Sequence, residues 1–367
     1  MDMSPRERLL AAISLQEPDV VPVCPLIDNH YAAYVSGAKV HEASWRHQIA
    51  AIDEIDHDAI ILPDNFGEIV DHAVPSLKWK REVVETGANF RIVESSLETP
   101  YGPLISRVCE KDDCSAWTMK PPVESLEDDY EKIVWFYEQL ASGRYDVKSS
   151  YADIQKKLGD RGLICARSGV ELGGGIRESI IDRFRWPDLV KKIDAIAFES
   201  NKPLLEATFE AGADLVFGSS SGIGVLSPKL IEEFDLPRLR RLSDFAHKHG
   251  VLHYFHCCDK CNVMLEKFVE QGIDLMETLA PPPSGDIDLG DAKERIGDKV
   301  CLKGNINLSL LYIGTLSEIE DSVKDCITKA GRGGGFILGT EDALQWGHPI
   351  GNIKAMVMMG RKYGAYS

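Results

Sequence analysis

The chain has 367 residues, of which 44% are hydrophobic and 27% charged, as in a large globular protein with a substantial core. Its formal net charge of −17 argues against nucleic acid and anionic membranes as partners, because both bind clustered lysine and arginine. The sequence has no run of about 18 apolar residues, so we predict no membrane span, and the polar N-terminus does not resemble a signal peptide. Nine cysteines, unevenly spaced, favour reduced thiols, so we expect a soluble cytoplasmic protein.

Short β-branched runs alternate with longer amphipathic segments along most of the chain, which is the pattern of a parallel α/β fold. The candidate strands are residues 20–24, 59–62, 163–166, 215–217, 251–255, 275–277, 300–302 and 336–338. Eight parallel strands are what a closed barrel needs, so we predict an α/β fold of the (β/α)8 TIM-barrel type.

One stretch departs from this alternation. Residues 90–93 and 104–108 have the composition of two strands, and the turn sequence Thr-Pro-Tyr-Gly lies between them. We therefore predict a β-hairpin inserted between the second and third barrel strands, within residues 75–120 or so. No linker or repeat divides the chain, and we predict a single TIM-barrel domain over residues 1–367.

Polar side chains follow most of the predicted strands. In a barrel these positions meet at the C-terminal mouth, where such enzymes place their chemistry. Candidate site residues chosen in this way are Asn29, His30, Tyr31, Asp64, Glu277, Asn305 and Glu341. Because loops are polar in any protein, each position taken alone is equally consistent with a structural role.

Residues 256–261, His-Cys-Cys-Asp-Lys-Cys, follow the fifth predicted strand. Because side chains alternate along an extended backbone, His256 and Cys258 face one side and Cys257 faces the other. Nitrogen and sulfur donors suit zinc, and a catalytic zinc usually has three protein ligands. Candidates for the third ligand are Cys261, Glu277 and Glu341. The alternative interpretation is a group of small buried cysteines beside a hydrogen-bonded core histidine.

At this point the sequence resembles the superfamily of uroporphyrinogen decarboxylase and the corrinoid-dependent methyltransferases. The resemblance rests mainly on residues 5–23, 58–64, 255–258 and 348–356. His256-x-Cys258 is similar to the zinc signature of the methyltransferase branch, as in the methylcobamide:coenzyme M methyltransferases. The resemblance implies a TIM-barrel enzyme that uses zinc and a corrinoid carried by a partner protein. It also aligns Asp64 with the essential aspartate of the decarboxylases.

Two departures from the family pattern separate the possible reactions. Decarboxylases hold their many-carboxylate substrate with arginines after the first strand, and residues 24–31 contain no arginine. This disfavours a decarboxylase, since unpaired buried charges are costly. The methyltransferase branch takes a second cysteine ligand from the last strand-end loop, which here is Gly-Thr-Glu-Asp at residues 339–342. We therefore favour an oxygen ligand such as Glu341 in the third zinc position, with Cys261 and Glu277 as the alternatives.

The resulting hypothesis is the methyl-donor half of a corrinoid system, for instance O-demethylation of a methoxylated small molecule. Methyl transfer from methylcobalamin to a thiol or folate remains the alternative. Asp64 and Glu277 are the catalytic candidates in this hypothesis. The substrate-contact candidates are Asn29, His30, Tyr31 and Asn305. The oligomeric state is open, with a homodimer as one alternative.

Overall fold

The computed structural model describes residues 2–63, 66–173, 176–220 and 222–366. Its strands are β1 (Ala59–Ile61), β2 (Lys80–Thr86), β3 (Phe90–Leu97), β4 (Leu104–Lys111), β5 (Trp117–Lys120), β6 (Gly162–Arg167), β7 (Leu215–Ser219), β8 (Leu252–Cys257), β9 (Leu275–Thr278), β10 (Cys301–Ile306) and β11 (Phe336–Thr340). Seven of them form one parallel sheet in the order β1-β6-β7-β8-β9-β10-β11. Each of these seven overlaps a strand predicted from the sequence.

Helices connect and surround these strands. They are α1 (Pro5–Ile13), α2 (Asn29–Ser36), α3 (Trp45–Ile55), α4 (Phe66–Ala73), α5 (Tyr130–Ala141), α6 (Lys148–Leu158), α7 (Ile176–Arg185), α8 (Pro187–Glu210), α9 (Pro228–Leu230), α10 (Leu236–Lys248), α11 (Leu265–Val269), α12 (Leu289–Ile296), α13 (Leu308–Ile313), α14 (Leu316–Ala330) and α15 (Ile350–Tyr363). Among the described residues, none of the helices combines the length and apolar character needed to cross a bilayer.

The segment at residues 20–24 closes the sheet into a barrel. Its Val23 forms a parallel bridge with Leu338 of β11, and the amide of Cys24 donates to the Leu338 carbonyl at 2.8 Å. On its other side, the amide of Asp58 donates to the Val23 carbonyl at 3.0 Å. The eighth predicted strand is thus reduced to a bridge, because Pro22 and a second proline three residues later have no N–H to donate. The predicted TIM-barrel fold is confirmed.

A buried ion pair holds this closing segment against β1. The Asp58 carboxylate accepts a hydrogen bond from the Val23 amide at 2.7 Å and another from Nη1 of Arg8 at 2.8 Å. Arg8 lies on α1 and also donates through Nε to Asp19 at 2.8 Å. The first helix is therefore tied to the point at which the barrel closes.

Side chains alternate between the barrel interior and the surrounding helices along each strand. On β8, Tyr254 packs in the interior cluster, whereas Phe255 and Cys257 pack in the outer cluster with the helices. His256 therefore faces the interior, and so does Cys258 just beyond the strand's end. This is the alternation that the sequence predicts.

The insertion predicted between the second and third barrel strands lies between β1 and β6. It is larger than a hairpin, because β2, β3, β4 and β5 form a four-stranded antiparallel sheet in that order. The predicted pair corresponds to β3 and β4, with Arg91 directly opposite Glu110. The two outer strands were not predicted because their charged residues obscure the alternation.

We expect Asp58→Ala to lower the free energy of unfolding by about 3 kcal/mol, because it leaves the Val23 amide and part of the Arg8 guanidinium unpaired away from water. Chemical denaturation followed by circular dichroism measures this change. Asp53→Ala is the matched control: Asp53 is 63% exposed and pairs with Arg161, so its removal should cost about 1 kcal/mol or less. Equal losses in the two variants would contradict this account of barrel closure.

Candidate metal centre and active-site pocket

Three polar side chains stand side by side across neighbouring barrel strands. The strand register pairs Glu277 of β9 with His256 of β8 on one side and with Lys303 of β10 on the other. Nδ1 of His256 lies 2.9 Å from Oε1 of Glu277, and Nζ of Lys303 donates to Oε2. Glu277 and Lys303 are fully buried. Register alone therefore aligns a histidine, a carboxylate and a lysine on the interior face of the barrel.

The charges of this row support one another. Burial by itself would raise the pKa of Glu277, but Lys303 and His256 lower it to about 2, so the carboxylate is ionised. Burial by itself would lower the pKa of His256, but Cys258 and Glu277 raise it to about 10. Because Glu277 accepts the proton on Nδ1, the Nε2 atom of His256 is left for other partners.

Nε2 of His256 belongs to a group of three potential metal ligands. Donor atoms of His256, Cys258 and Asp342 all lie within 4.8 Å of one another, and in the described parts of the chain no other set of three such side chains does so. Nε2 of His256 is 3.9 Å from Oδ1 of Asp342. Nitrogen, thiolate and carboxylate donors match the ligands of a catalytic zinc that keeps an open position. The donor set and its spacing therefore fit zinc.

The structure groups Asp342, not Glu341, with His256 and Cys258. Oε1 of Glu341 accepts hydrogen bonds from Nδ2 of Asn307 at 2.8 Å and from the Leu308 amide at 2.9 Å. Its own amide donates to the Ile306 carbonyl and so continues the β10–β11 ladder. Glu341 thereby caps the start of α13, and the next residue turns toward His256. The group that the structure brings together thus contains Asp342 where the sequence leads us to expect Glu341.

Cys261, the reserve ligand, lies on the other side of β8. Its Sγ atom is 2.8 Å from Sγ of Cys257, and both thiols are buried among the outer helices. Asp286 accepts hydrogen bonds from the backbone amides of Cys261 and Asn262 and fixes this turn. Cys257 and Cys261 therefore pair with each other and not with the three-ligand group.

A cavity of about 490 Å³ opens in front of this group. One wall comes from the barrel, where Asn29, His30, Phe217, His256 and Asp342 line it. The His256 ring lies 5.8 Å from that of Phe217, measured between centroids. The cavity has the size expected of a small-molecule site.

The facing wall comes from the inserted sheet and is basic. Arg81, Arg91, Glu110 and Lys111 line the cavity there, and Arg167 lies at the end of β6. The family resemblance leads us to expect arginines after the first strand, and residues 24–31 contain none. The insertion supplies arginines instead. Their place at the cavity becomes visible only when the inserted strands are folded over the barrel mouth.

Other predicted site residues fall in different places. Asn29 and His30 line the cavity, whereas Tyr31 is buried and its hydroxyl donates to the His348 carbonyl at 3.1 Å. The reason is that α2 begins at Asn29, so successive side chains point in different directions. Nδ2 of Asn305 donates to the Leu279 carbonyl at 2.8 Å and does not line the cavity.

The two catalytic candidates from the sequence are Asp64 and Glu277, and the structure describes only the second. Asp64 lies outside the described residues. Glu277 is buried behind His256 and is not exposed to the cavity, so its geometry is that of a positioning residue. Lys303 was missed, although a lysine at the end of an apolar strand was a usable signal. Asp342 was missed because the turn after β11 could not be predicted.

Comparison with known proteins places this site in a family. The sequence model of the uroporphyrinogen decarboxylase family matches residues 173–363. The uroporphyrinogen decarboxylase of Pseudoalteromonas atlantica is 28% identical over 167 residues, which cover 44% of each chain. That of Hydrogenovibrio crunogenus is 28% identical over 263 residues, or 66% of this chain and 71% of the relative. Several of these matches span only about half the length of the relatives.

A solved structure shares the fold over nearly the whole chain. The methyltransferase from Methanosarcina mazei superposes with a TM-score of 0.67 at 18% identity, covering 99% of both chains. At this identity the likeness concerns the fold. The family match, in contrast, is made on the sequence and covers more than half of the chain. This protein therefore belongs to the uroporphyrinogen decarboxylase family.

Proposed function

We propose that this protein is a zinc- and corrinoid-dependent methyltransferase that demethylates a methoxylated small molecule and passes the methyl group to a corrinoid protein. Members of the family are enzymes, and a methyltransferase shares the fold. The observation that supports this reaction most directly is the group of His256, Cys258 and Asp342, of which His256 and Asp342 line the cavity. Zinc bound there would act as a Lewis acid toward the ether oxygen of the donor.

The residues around this group prepare it for a metal. Glu277 accepts the Nδ1 proton of His256 and so fixes the ring with Nε2 toward Cys258 and Asp342. Lys303 balances the charge of Glu277, which keeps that carboxylate ionised without a second metal or a proton. Burial raises the pKa of Asp342, and His256 opposes this effect.

The donor set also separates the two directions of methyl transfer. A site with one thiolate and one carboxylate gives less charge to the metal than a site with two thiolates. The weaker donation favours polarisation of an oxygen atom over activation of a bound thiol. The presence of Asp342 where the family resemblance leads us to expect a cysteine therefore supports the methyl-donor reaction, with thiol or folate methylation as the alternative.

A decarboxylase remains the other candidate, because the sequence relatives are uroporphyrinogen decarboxylases and basic side chains do line the cavity. Among the described lining residues, however, Arg81, Arg91, Lys111 and Arg167 occur together with three carboxylates. Glu110 pairs with two of the arginines. That balance suits a ligand of low charge better than a substrate with many carboxylates.

The first test is the ligand set. Purified Asp342→Ala and Cys258→Ala should contain far less zinc than the unmodified protein, because each loses one of three donors. Glu341→Ala and Cys257→Ala are the matched controls and should keep their zinc, since Oε1 of Glu341 is bonded to Asn307 and Leu308 and Cys257 packs among the outer helices. Elemental analysis after dialysis measures the content. Loss of zinc from Glu341→Ala with retention in Asp342→Ala would reverse the assignment.

Zinc binding should also depend on pH. In the metal-free protein the pKa of His256 is about 10, so near neutral pH its Nε2 carries a proton that the metal must displace. Zinc binding releases this proton, and a cysteine ligand binds the metal as the thiolate, so the apparent affinity should rise by at least about tenfold for each pH unit between about pH 6 and pH 8. Competition with a chromophoric chelator, corrected for the chelator's own protonation, measures it. An affinity independent of pH would contradict the protonated state.

The reaction itself can be followed in the spectrum of the corrinoid. Zinc-loaded protein mixed with reduced cobalamin and a methoxylated arene should convert the Co(I) spectrum to that of methyl-Co(III). His256→Ala should slow this conversion by about 100-fold or more, because it removes a metal ligand. Cys257→Ala should react at the unmodified rate. No spectral change, together with decarboxylation of uroporphyrinogen, would select the decarboxylase instead.

A further inference from the structure

We infer that the inserted sheet binds the carboxylate of a small monoanionic ligand. Arg81 and Arg91 would hold this carboxylate, on the wall of the cavity that faces His256 and Asp342. The identification of this ligand as the methyl donor rests on the proposed function, which makes the donor a methoxylated carboxylic acid. The binding site itself rests on the geometry of the basic wall.

The two guanidiniums are held ready by one carboxylate. Glu110 accepts from Nη2 of Arg81 through Oε1 at 2.7 Å and pairs with Nη2 of Arg91 through Oε2 at 2.7 Å. Its side chain is only 11% exposed, whereas those of Arg81 and Arg91 are 61% and 36% exposed. One buried carboxylate thus positions two guanidiniums that remain open to the cavity.

This arrangement leaves binding capacity at the basic wall. A guanidinium has five N–H donors, and within the described chain the ion pairs of Arg81 and Arg91 are those with Glu110. Two positive charges share one negative charge, and the planar fork of a guanidinium matches the two oxygens of a carboxylate. A second carboxylate, supplied by a ligand, would complete the pairing.

The cavity lining is basic, although the chain as a whole is acidic. The protein has 58 acidic and 41 basic residues, yet four basic side chains and three carboxylates are found among the described residues that line the cavity. At the basic wall itself, Arg81 and Arg91 share the single carboxylate of Glu110, and this local excess of one positive charge matches a monocarboxylate. A basic pocket in an acidic protein indicates selection for an anionic ligand.

The space between the two walls suits the remainder of such a ligand. Leu26, Ile27, Leu62 and Phe217 add apolar lining to the cavity. A small molecule with an apolar or aromatic body can therefore place its acid at Arg81 and Arg91 and its other end near His256. The inserted sheet is then the element that selects the substrate.

Binding of two matched probes tests this inference without any turnover. Isothermal titration of the zinc-loaded protein with 4-methoxybenzoate and with neutral 4-methoxybenzyl alcohol should show a preference for the acid of about tenfold or more. Arg81→Ala/Arg91→Ala should abolish the preference and leave the weak affinity for the alcohol unchanged. Arg107→Ala is the control, because Arg107 belongs to the same sheet, pairs with Glu94 and does not line the cavity.

A second variant guards against a folding defect. Arg81→Gln/Arg91→Gln/Glu110→Gln removes the charges together, so no buried carboxylate is left unpaired, and it should also bind both probes equally. If the unmodified protein shows no preference for the acid, or if the triple variant retains one, the inference is overturned. If neutral and acidic arenes methylate cobalamin equally well, the carboxylate site is wrong and the proposed methyl transfer stands. If the protein binds the acid selectively but transfers no methyl group, the carboxylate site stands and the ligand is not the methyl donor.

Discussion

The buried carboxylate of Glu277 is the constraint on which the site depends. A carboxylate removed from water must be paired, and its two partners, His256 and Lys303, stand at the same level on the two neighbouring strands. Any shift in register of β8 or β10 would separate these charges inside the barrel. The pairing that the fold requires is therefore the same contact that sets the orientation of the His256 ring, so stability and site geometry are linked.

From that fixed ring the rest of the site follows in steps. Strand alternation places Cys258 on the same side as His256, and the turn after β11 brings Asp342 to both. The inserted sheet then adds a wall that the barrel lacks. The barrel supplies the packed interior, and the nitrogen, thiol and carboxylate donors stand together at its mouth.

Periodicity in the sequence predicted the barrel strands, because buried parallel strands are short apolar runs between helices. It also predicted that His256 and Cys258 share a face, since that follows from a single strand. It did not predict Asp342 or the contact with Lys303, because both depend on how separate strands align and how a loop turns. Tyr31 was misplaced for a related reason: the helix begins before it, and one turn of helix directs it into the core.

The basic cavity within an acidic protein has a kinetic consequence. At low ionic strength an approaching anion is repelled by a chain with net charge −17, whereas in physiological salt this repulsion is screened beyond about 8 Å. Once inside, it meets Arg81 and Arg91 at close range. Added salt therefore speeds the entry of an anionic ligand and shortens its residence, two effects of opposite sign that an equilibrium constant measured at one ionic strength would conceal.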